Sequence, residues 1–338
     1  MIPLWMFPIA ITAGNTFVMK PSEKTPGATM MLAELALEAG VPLGVLNVVH
    51  GGKPTVDLLC DDPIIQAVSF VGSNIVGEYI FTRGTSNGKR VQANLGAKNH
   101  IVVMPDADRE ATTKAIVGAA FGAAGQRCMA VSVSIFVESA WNLVPDIALQ
   151  AKKLRLGCGF DAETEIGPLI DSQAKHRCQN IITEAIETGA RAVLDGRSPT
   201  IGGNYVGPTI LVNVDTQNVA YREEIFGPVL VCLHVKTLKE AMEIIQNNAY
   251  GNGAAIFTQN GACARAFAAD VEVGQVGINV PIPVPLGYFS FTGNRKSIKG
   301  DINFYGKQGV NFYTQLKTVT SNWKHKGDFG GVSMPVPV

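Results

Sequence analysis

One cysteine in this chain stands where a thiol could act as a nucleophile. Cys128 lies in Phe121-Gly122-Ala123-Ala124-Gly125-Gln126-Arg127-Cys128-Met129, at the end of an Ala/Gly-rich helical run. Small residues let backbone pack closely around the sulfur, and the adjacent Arg127 favours thiolate over thiol, the reactive form. A lone cysteine is more often a small buried hydrophobe. The nucleophile reading therefore needs support from the rest of the chain.

Three further groups could hold a dinucleotide. Lys20 and Glu23 follow the carboxyl end of an apolar strand, where ligands bind in open parallel sheets. A glutamate there accepts from ribose hydroxyls and a lysine donates to them. Ser73 opens a helix and offers backbone N–H groups and a hydroxyl to a pyrophosphate. Taken singly, each reads more readily as a helix cap or a surface charge than as a ligand contact. No G-x-G-x-x-G follows a strand; the nearest run, Gly157-Cys158-Gly159-Phe160-Asp161-Ala162, follows a helix and reads as a loop.

The elements that must position these groups alternate from end to end. Apolar strands are expected at 15–19, 45–49, 67–71, 90–95 and 101–104, with helices between them. A helix over 108–124 leads to Cys128, and further strands are expected at 131–137, 191–194, 225–235, 253–257 and 275–280. Helices are expected at 171–188 and 238–247, and 312–323 reads as an exposed strand before a polar, loose tail at 324–338. Continuous apolar strands alternating with helices imply an α/β fold with a parallel sheet covered on both faces. The halves divide near residues 96–99.

Composition bounds the function. The 338 residues suffice for about two domains. With 46% hydrophobic residues, 17% charged residues and no net charge, the chain has no basic field for nucleic acid. Six cysteines without a C-x-x-C pair and five scattered histidines point to a reducing compartment and to no metal site. The apolar run 1–13 holds Pro3 and Pro8, lacks a basic leader and is too short to span a membrane. It reads as a chain cut inside a buried helix.

Taken together, the short motifs are specific. Lys20-Pro21-Ser22-Glu23, Phe70-Val71-Gly72-Ser73, Gly125-Gln126-Arg127-Cys128 and Glu223-Glu224-Ile225-Phe226-Gly227-Pro228 occur in that order. The series resembles the aldehyde dehydrogenase superfamily, whose members bind NAD without the glycine fingerprint, and the resemblance runs to about Trp323. Gln92-Ala93-Asn94-Leu95-Gly96-Ala97-Lys98 is similar to the segment where most members carry Glu-Leu-Gly-Gly-Lys, with Asn94 in place of the Glu. Pro281-Ile282-Pro283-Val284-Pro285, Phe289-Ser290-Phe291-Thr292-Gly293 and Asn303-Phe304-Tyr305-Gly306-Lys307-Gln308-Gly309 resemble its CoA-acylating branch, which acts on malonate and methylmalonate semialdehydes.

The resemblance implies a fold of three parts. These are an NAD-binding open-sheet domain over 1–96, a catalytic domain over 97–300, and an oligomerisation arm with a tail over 301–338. It implies Cys128 as the acyl-carrying nucleophile and Lys20, Glu23, Lys24, Ser73, Glu224 and Phe226 as NAD contacts. Arg127 is expected to hold the substrate carboxylate in a two-point contact. Hydrolytic members use the missing Glu as general base, and Asn94 cannot take a proton at useful pH. Coenzyme A is therefore the expected acyl acceptor. Lys98, Asn99 and His100 are left as structural.

The resemblance also implies a homotetramer, residence in mitochondria, no nucleic-acid partner and no membrane association. Other members carry a segment ahead of the position of Met1, with early strands and an oxyanion-binding Asn. A chain without it is expected to keep the site and lose turnover, since one oxyanion donor is worth about 10²–10³ in rate. Two alternatives from the same residues are a hydrolytic dehydrogenase, which Asn94 opposes, and a non-catalytic subunit. A cysteine hydrolase pairing Cys128 with His100 or His176 leaves Lys20, Ser73 and Glu224 unexplained.

Overall fold

The computed structural model describes residues 1–323, and the tail expected at 324–338 lies outside the described residues. Its centre is a seven-stranded sheet in the order Gln275–Ile278, Gly253–Phe257, Asn99–Val103, Val131–Val137, Val229–Val235, Thr209–Val212, Arg191–Leu194. Every pairing is parallel except the last, where Arg191–Leu194 runs antiparallel to Thr209–Val212. All residues of Asn99–Val103 and Gly253–Phe257 are buried, so this sheet is covered on both faces, as unbroken apolar strands require. Helices Arg109–Phe121 and Leu238–Gln246 supply part of that cover. Each fully buried Val, Ile or Phe here contributes about 1.5–3 kcal/mol of transfer free energy.

The first part of the chain builds two smaller parallel pairings. Phe17–Met19 pairs with Leu46–Val48, and Ala67–Val71 pairs with Arg90–Asn94. Ile298–Lys299 joins the second of these antiparallel, so residues from far along the chain complete that sheet. The apolar start forms a short turn at Ile2–Trp5 and a helix at Phe7–Thr12, with Trp5, Met6, Phe7 and Ala10 buried. Among the described residues no helix is long and apolar enough to cross a membrane.

Several boundaries move from their expected places. The strand expected over 225–235 begins only at Val229, because Phe226 takes a left-handed φ of 54° and Gly227-Pro228 breaks the ladder. The helix before Cys128 stops at Phe121. No strand forms over 312–323: Phe312 ends a helix, Gly306–Phe312, and the remainder has no regular structure. Val144–Ala151, Thr209–Val212 and Gly261–Asp270 are elements the apolar pattern did not announce.

His100 lies inside the central sheet, with Nε2 3.2 Å from the Tyr221 hydroxyl. Burial first, and the nearby Lys98 charge second, push its pKa from 6.5 down to about 3. Between those values the unfolded chain takes up a proton that folded His100 refuses, so stability falls as pH drops through the window. Urea unfolding at pH 7 and about pH 4.5 is expected to show that loss, and His100→Gln, which keeps a donor for Tyr221, to reduce it. Identical pH slopes for the two proteins would refute the assignment.

Candidate active site

Cys128 is delivered by a strained turn. Helix Arg109–Phe121 starts at Asp108, whose carboxylate accepts from Ala111 N at 2.7 Å. Past Phe121 the backbone turns left-handed at Ala123 (φ 53°, ψ 34°) and Ala124 (φ 53°, ψ 31°). Each such alanine costs roughly 1–2 kcal/mol. Gly125 continues at φ 70°, and a Cβ there would stand 2.1 Å from the Gly227 carbonyl oxygen. The Cys128 motif and the Glu224 motif are therefore packed backbone against backbone. From the other side, Asn99 Nδ2 and Asn252 Nδ2 donate to the Cys128 carbonyl at 2.8 and 3.0 Å.

Burial dominates the chemistry of the thiol. It pushes the Cys128 pKa up; the Cys128 and Met129 backbone N–H groups oppose the rise, Glu224 adds to it, and Arg127 has the weakest influence. Arg127 was expected to activate the thiolate and to grip a substrate carboxylate. Instead its Nη2 donates to the carbonyls of Gly118 and Ala119 at 2.8 and 3.2 Å, closing the end of the preceding helix. Arg127 and Cys128 line the same cleft, with Arg127 Nη2 turned to the helix end.

Glu224 is held by two other segments. Its Oε1 accepts from Ala97 N at 2.9 Å, and a Cβ on Gly96 would lie 2.8 Å from Oε2. Lys98 Nζ donates to the carbonyls of Ala220 and Glu223, both at 2.6 Å. Arg177 donates to the carbonyls of Glu224 and Ile225 at 2.6 and 2.8 Å. Burial pushes Lys98 down to about 7 and pushes Glu224 up, each against the other's charge. Phe226 follows in its left-handed conformation with 45% of its surface exposed. Ala97, Asn99, Arg127, Cys128, Glu224 and Phe226 line one narrow cleft.

The expected cofactor groups divide. Lys20 follows Phe17–Met19, and its Nζ donates to the carbonyls of Pro21 and Gly51 at 2.6 and 3.0 Å, 3.6 Å from Glu23 Oε2. The Glu23 backbone N–H first, and Lys20 second, lower the Glu23 pKa. A cation and a carboxylate thus stand side by side at a strand's end. Ser73 starts helix Asn74–Ser86 in extended conformation, and its side chain makes no capping bond. Lys24 does not join them. It pairs with Asp171, which caps helix Ser172–Glu187.

Asn94 ends strand Arg90–Asn94, buried, with no partner for its Oδ1. The carboxylate–lysine pair, the helix start with a free hydroxyl and the anchored Glu224 supply the donor and acceptor types that a dinucleotide's riboses and phosphates need. These residues fit that ligand. Asn99, Asn252, Lys98 and Arg177 were not expected in the site. Asn99 and Asn252 carried one faint signal, amides directly at the start of fully apolar strands.

Comparisons with known proteins show the family and the fold. Residues 1–319 match the aldehyde dehydrogenase family. A Bos taurus protein named methylmalonate-semialdehyde/malonate-semialdehyde dehydrogenase [acylating], mitochondrial, is 59% identical over 330 residues, covering 96% of this chain and 62% of its own length. A Dictyostelium discoideum protein, named as a probable enzyme of the same kind, is 53% identical over 345 residues, covering 100% and 65%. The crystal structure of methylmalonate-semialdehyde dehydrogenase from Oceanimonas doudoroffii superposes with a TM-score of 0.94 at 46% identity, covering 96% of this chain and 68% of that one. The structure of a Sinorhizobium meliloti protein, named as a putative methylmalonate-semialdehyde dehydrogenase and complexed with NAD, gives 0.94 at 43% identity, covering 96% and 67%. The chain spans less than two thirds of the length of these curated relatives.

Two measurements check the geometry. With its thiol pKa raised, Cys128 is expected to react with iodoacetamide at a rate still climbing above pH about 8.5, with Arg127→Met changing the profile little. A plateau below about pH 7 would overturn this account. Replacing Lys98 by Met orphans two carbonyls and is expected to cost about 2–4 kcal/mol in urea unfolding. An unchanged midpoint would mean that the carbonyls find other donors.

Proposed function

We propose that this chain, which belongs to the aldehyde dehydrogenase family, carries the chemistry of an NAD-dependent, CoA-acylating semialdehyde dehydrogenase with Cys128 as nucleophile. The observation that carries this reading is the convergence of three separate motifs on one cleft. Gly125 lies on Gly227, and Glu224 bonds Ala97 next to Gly96.

The Cys128 sulfur, as thiolate, bonds to the aldehyde carbon, and the carbonyl π electrons move to oxygen to give a thiohemiacetal. The backbone N–H groups of Cys128 and Met129 favour the thiolate that begins this step. The nicotinamide cofactor, when bound, supplies the acceptor for the hydride that leaves that carbon. A thioester to Cys128 remains. Lys20 and Glu23 would take ribose hydroxyls, Ser73 and its helix start the pyrophosphate, and Glu224 and Phe226 the nicotinamide ribose and ring. Lys24 would contribute only after leaving Asp171.

Asn94 supports coenzyme A as the acyl acceptor. An amide has no basic electron pair with which to activate water, whereas a thiol attacks a thioester through its own thiolate. With malonate semialdehyde the carboxylate of the resulting thioester leaves as CO₂, the electrons of the broken C–C bond pass to the α-carbon, which takes a proton from water, and acetyl-CoA is released; methylmalonate semialdehyde yields propionyl-CoA in the same way. The reading includes the division into a cofactor part (1–96), a catalytic part (97–300) and a C-terminal arm, together with a homotetramer. Leu316, Val319 and Trp323, exposed past the last helix, are available to a second copy. A mitochondrial location is proposed from the names of the bovine and Dictyostelium relatives.

Incubating the purified chain with malonate semialdehyde and NAD, with and without coenzyme A, tests the reading. NADH is expected only with the thiol present, and Cys128→Ala is expected to reduce it to the uncatalysed background. Asn94→Glu is expected to bring CoA-independent turnover. No NADH from a folded chain, or equal NADH without the thiol, would sink the assignment.

A further inference from the structure

Arg127, Cys128, Met129 and Ala130 form a tight turn, closed by Ala130 N donating to the Arg127 carbonyl at 3.0 Å. The peptide between Cys128 and Met129 is the centre of that turn, and the closing bond does not involve it. The two common forms of such a turn differ by a half-rotation of the central peptide, and the flipped form needs a positive φ at the third residue. Neither Cys128 nor Met129 has one.

What holds the unflipped peptide is a pair of amides from the central sheet. Asn99 opens strand Asn99–Val103, and Asn252 directly precedes the neighbouring strand Gly253–Phe257. Both are buried. Their Nδ2 atoms donate to the Cys128 carbonyl at 2.8 and 3.0 Å, and Asn99 Nδ2 also reaches the Ala130 carbonyl at 3.0 Å. Carbonyls only accept, so the NH₂ side of each amide must face the turn. Asn252 Nδ2 further meets Met129 Sδ at 2.9 Å and Asn99 Oδ1 at 3.4 Å. Sheet and turn approach closely here: a Cβ on Gly253 would stand 2.8 Å from Met129 Cε.

A trans peptide points its C=O and N–H in opposite directions. Two donors on the Cys128 carbonyl therefore fix where the Met129 N–H points. By polarising the shared peptide they also strengthen that N–H as a donor. It is one of the two N–H groups that favour the Cys128 thiolate against burial. We propose that Asn252, together with Asn99, is a positioning residue for the nucleophile: the amide pair locks the central peptide of the cysteine turn and so keeps the Met129 N–H on the sulfur. This rests on the reading of Cys128 as the nucleophile of the cleft.

The pH profile of Cys128 alkylation by iodoacetamide, read on the Cys128 peptide by mass spectrometry, tests the proposal. Leucine keeps the branched outline of asparagine without a donor. In Asn252→Leu the pH of half-maximal alkylation is expected to rise by about half a unit or more, because the released peptide favours the thiolate less. Asn99→Ser, whose side chain is shorter, is expected to move it the same way. Mere loosening of the site has the opposite sign, since water reaching the thiol brings its raised pKa back down. A profile unmoved, or moved to lower pH, would overturn the positioning role. A thermal unfolding midpoint close to that of the unsubstituted protein verifies each fold; if one variant does not fold the other decides, and loss of folding in both would make the amides merely structural. Alkylation needs no aldehyde, NAD or coenzyme A, so this result is separate from the NADH assay. A raised profile without NADH would sink the dehydrogenase reading and leave the amide pair as the device that sets the thiol.

Discussion

Everything near Cys128 depends on a contact between two stretches of bare backbone. Gly125 lies so close to Gly227 that one added carbon would overlap a carbonyl. That approach requires the chain to leave helix Arg109–Phe121 in left-handed steps at Ala123 and Ala124. Two alanines there cost roughly 2–4 kcal/mol together, a sizeable part of a domain's net stability. Only a large rigid body can impose such a cost. The seven-stranded sheet is that body: Val131–Val137 leaves the site and Val229–Val235 follows Gly227, and they are neighbours in it. Strand pairing thus holds both sides of the strained contact in register.

The same closeness decides the electrostatics. A site built from backbone against backbone leaves little room for water, so burial outweighs any single charge. It raises the thiol of Cys128, raises Glu224 and lowers Lys98. What keeps these groups tolerable is a set of backbone partners. Ala97 N meets Glu224, two carbonyls meet Lys98, and the N–H groups of Cys128 and Met129 oppose the rise of the thiol pKa. Preorganised backbone dipoles of this kind need no reorganisation when charge develops. An arginine on a long flexible stem would supply charge at the expense of that order, and Arg127 is used instead to close a helix end.

The parts of the fold legible in the sequence are those where one physical signal acts alone. Ala67–Val71, Val131–Val137, Arg191–Leu194 and Gly253–Phe257 stand where apolar runs bounded by turn residues put them. Errors arise where two signals compete. Over 225–235 the apolar run outvoted Gly227-Pro228, yet proline cannot donate to a ladder, and the strand starts after it. Over 312–323 β-branched and aromatic residues suggested a strand, but no neighbouring edge pairs with it among the described residues. Strand propensity is largely a statement about packing partners, which a single segment does not contain.

The site divides along the same line. Cys128, Glu224 and the segment from Asn94 to Lys98 stand out in the sequence through the motifs they share with the aldehyde dehydrogenases, and Ala97, Cys128 and Glu224 line one cleft. Asn99, Asn252 and Arg177 do not stand out, because each acts on a backbone carbonyl contributed by a distant part of the chain. Any donor of suitable reach could fill such a role, so the residue type alone carries almost no signal. Lys98 shows the boundary between the two cases. The sequence offers it no part in the chemistry, and its ammonium donates to carbonyls. Yet one of those carbonyls belongs to Glu223, so what Lys98 supports is the backbone that aims the Glu224 carboxylate. Where a site is assembled from backbone, a structural residue and a positioning residue differ only in which carbonyl they hold.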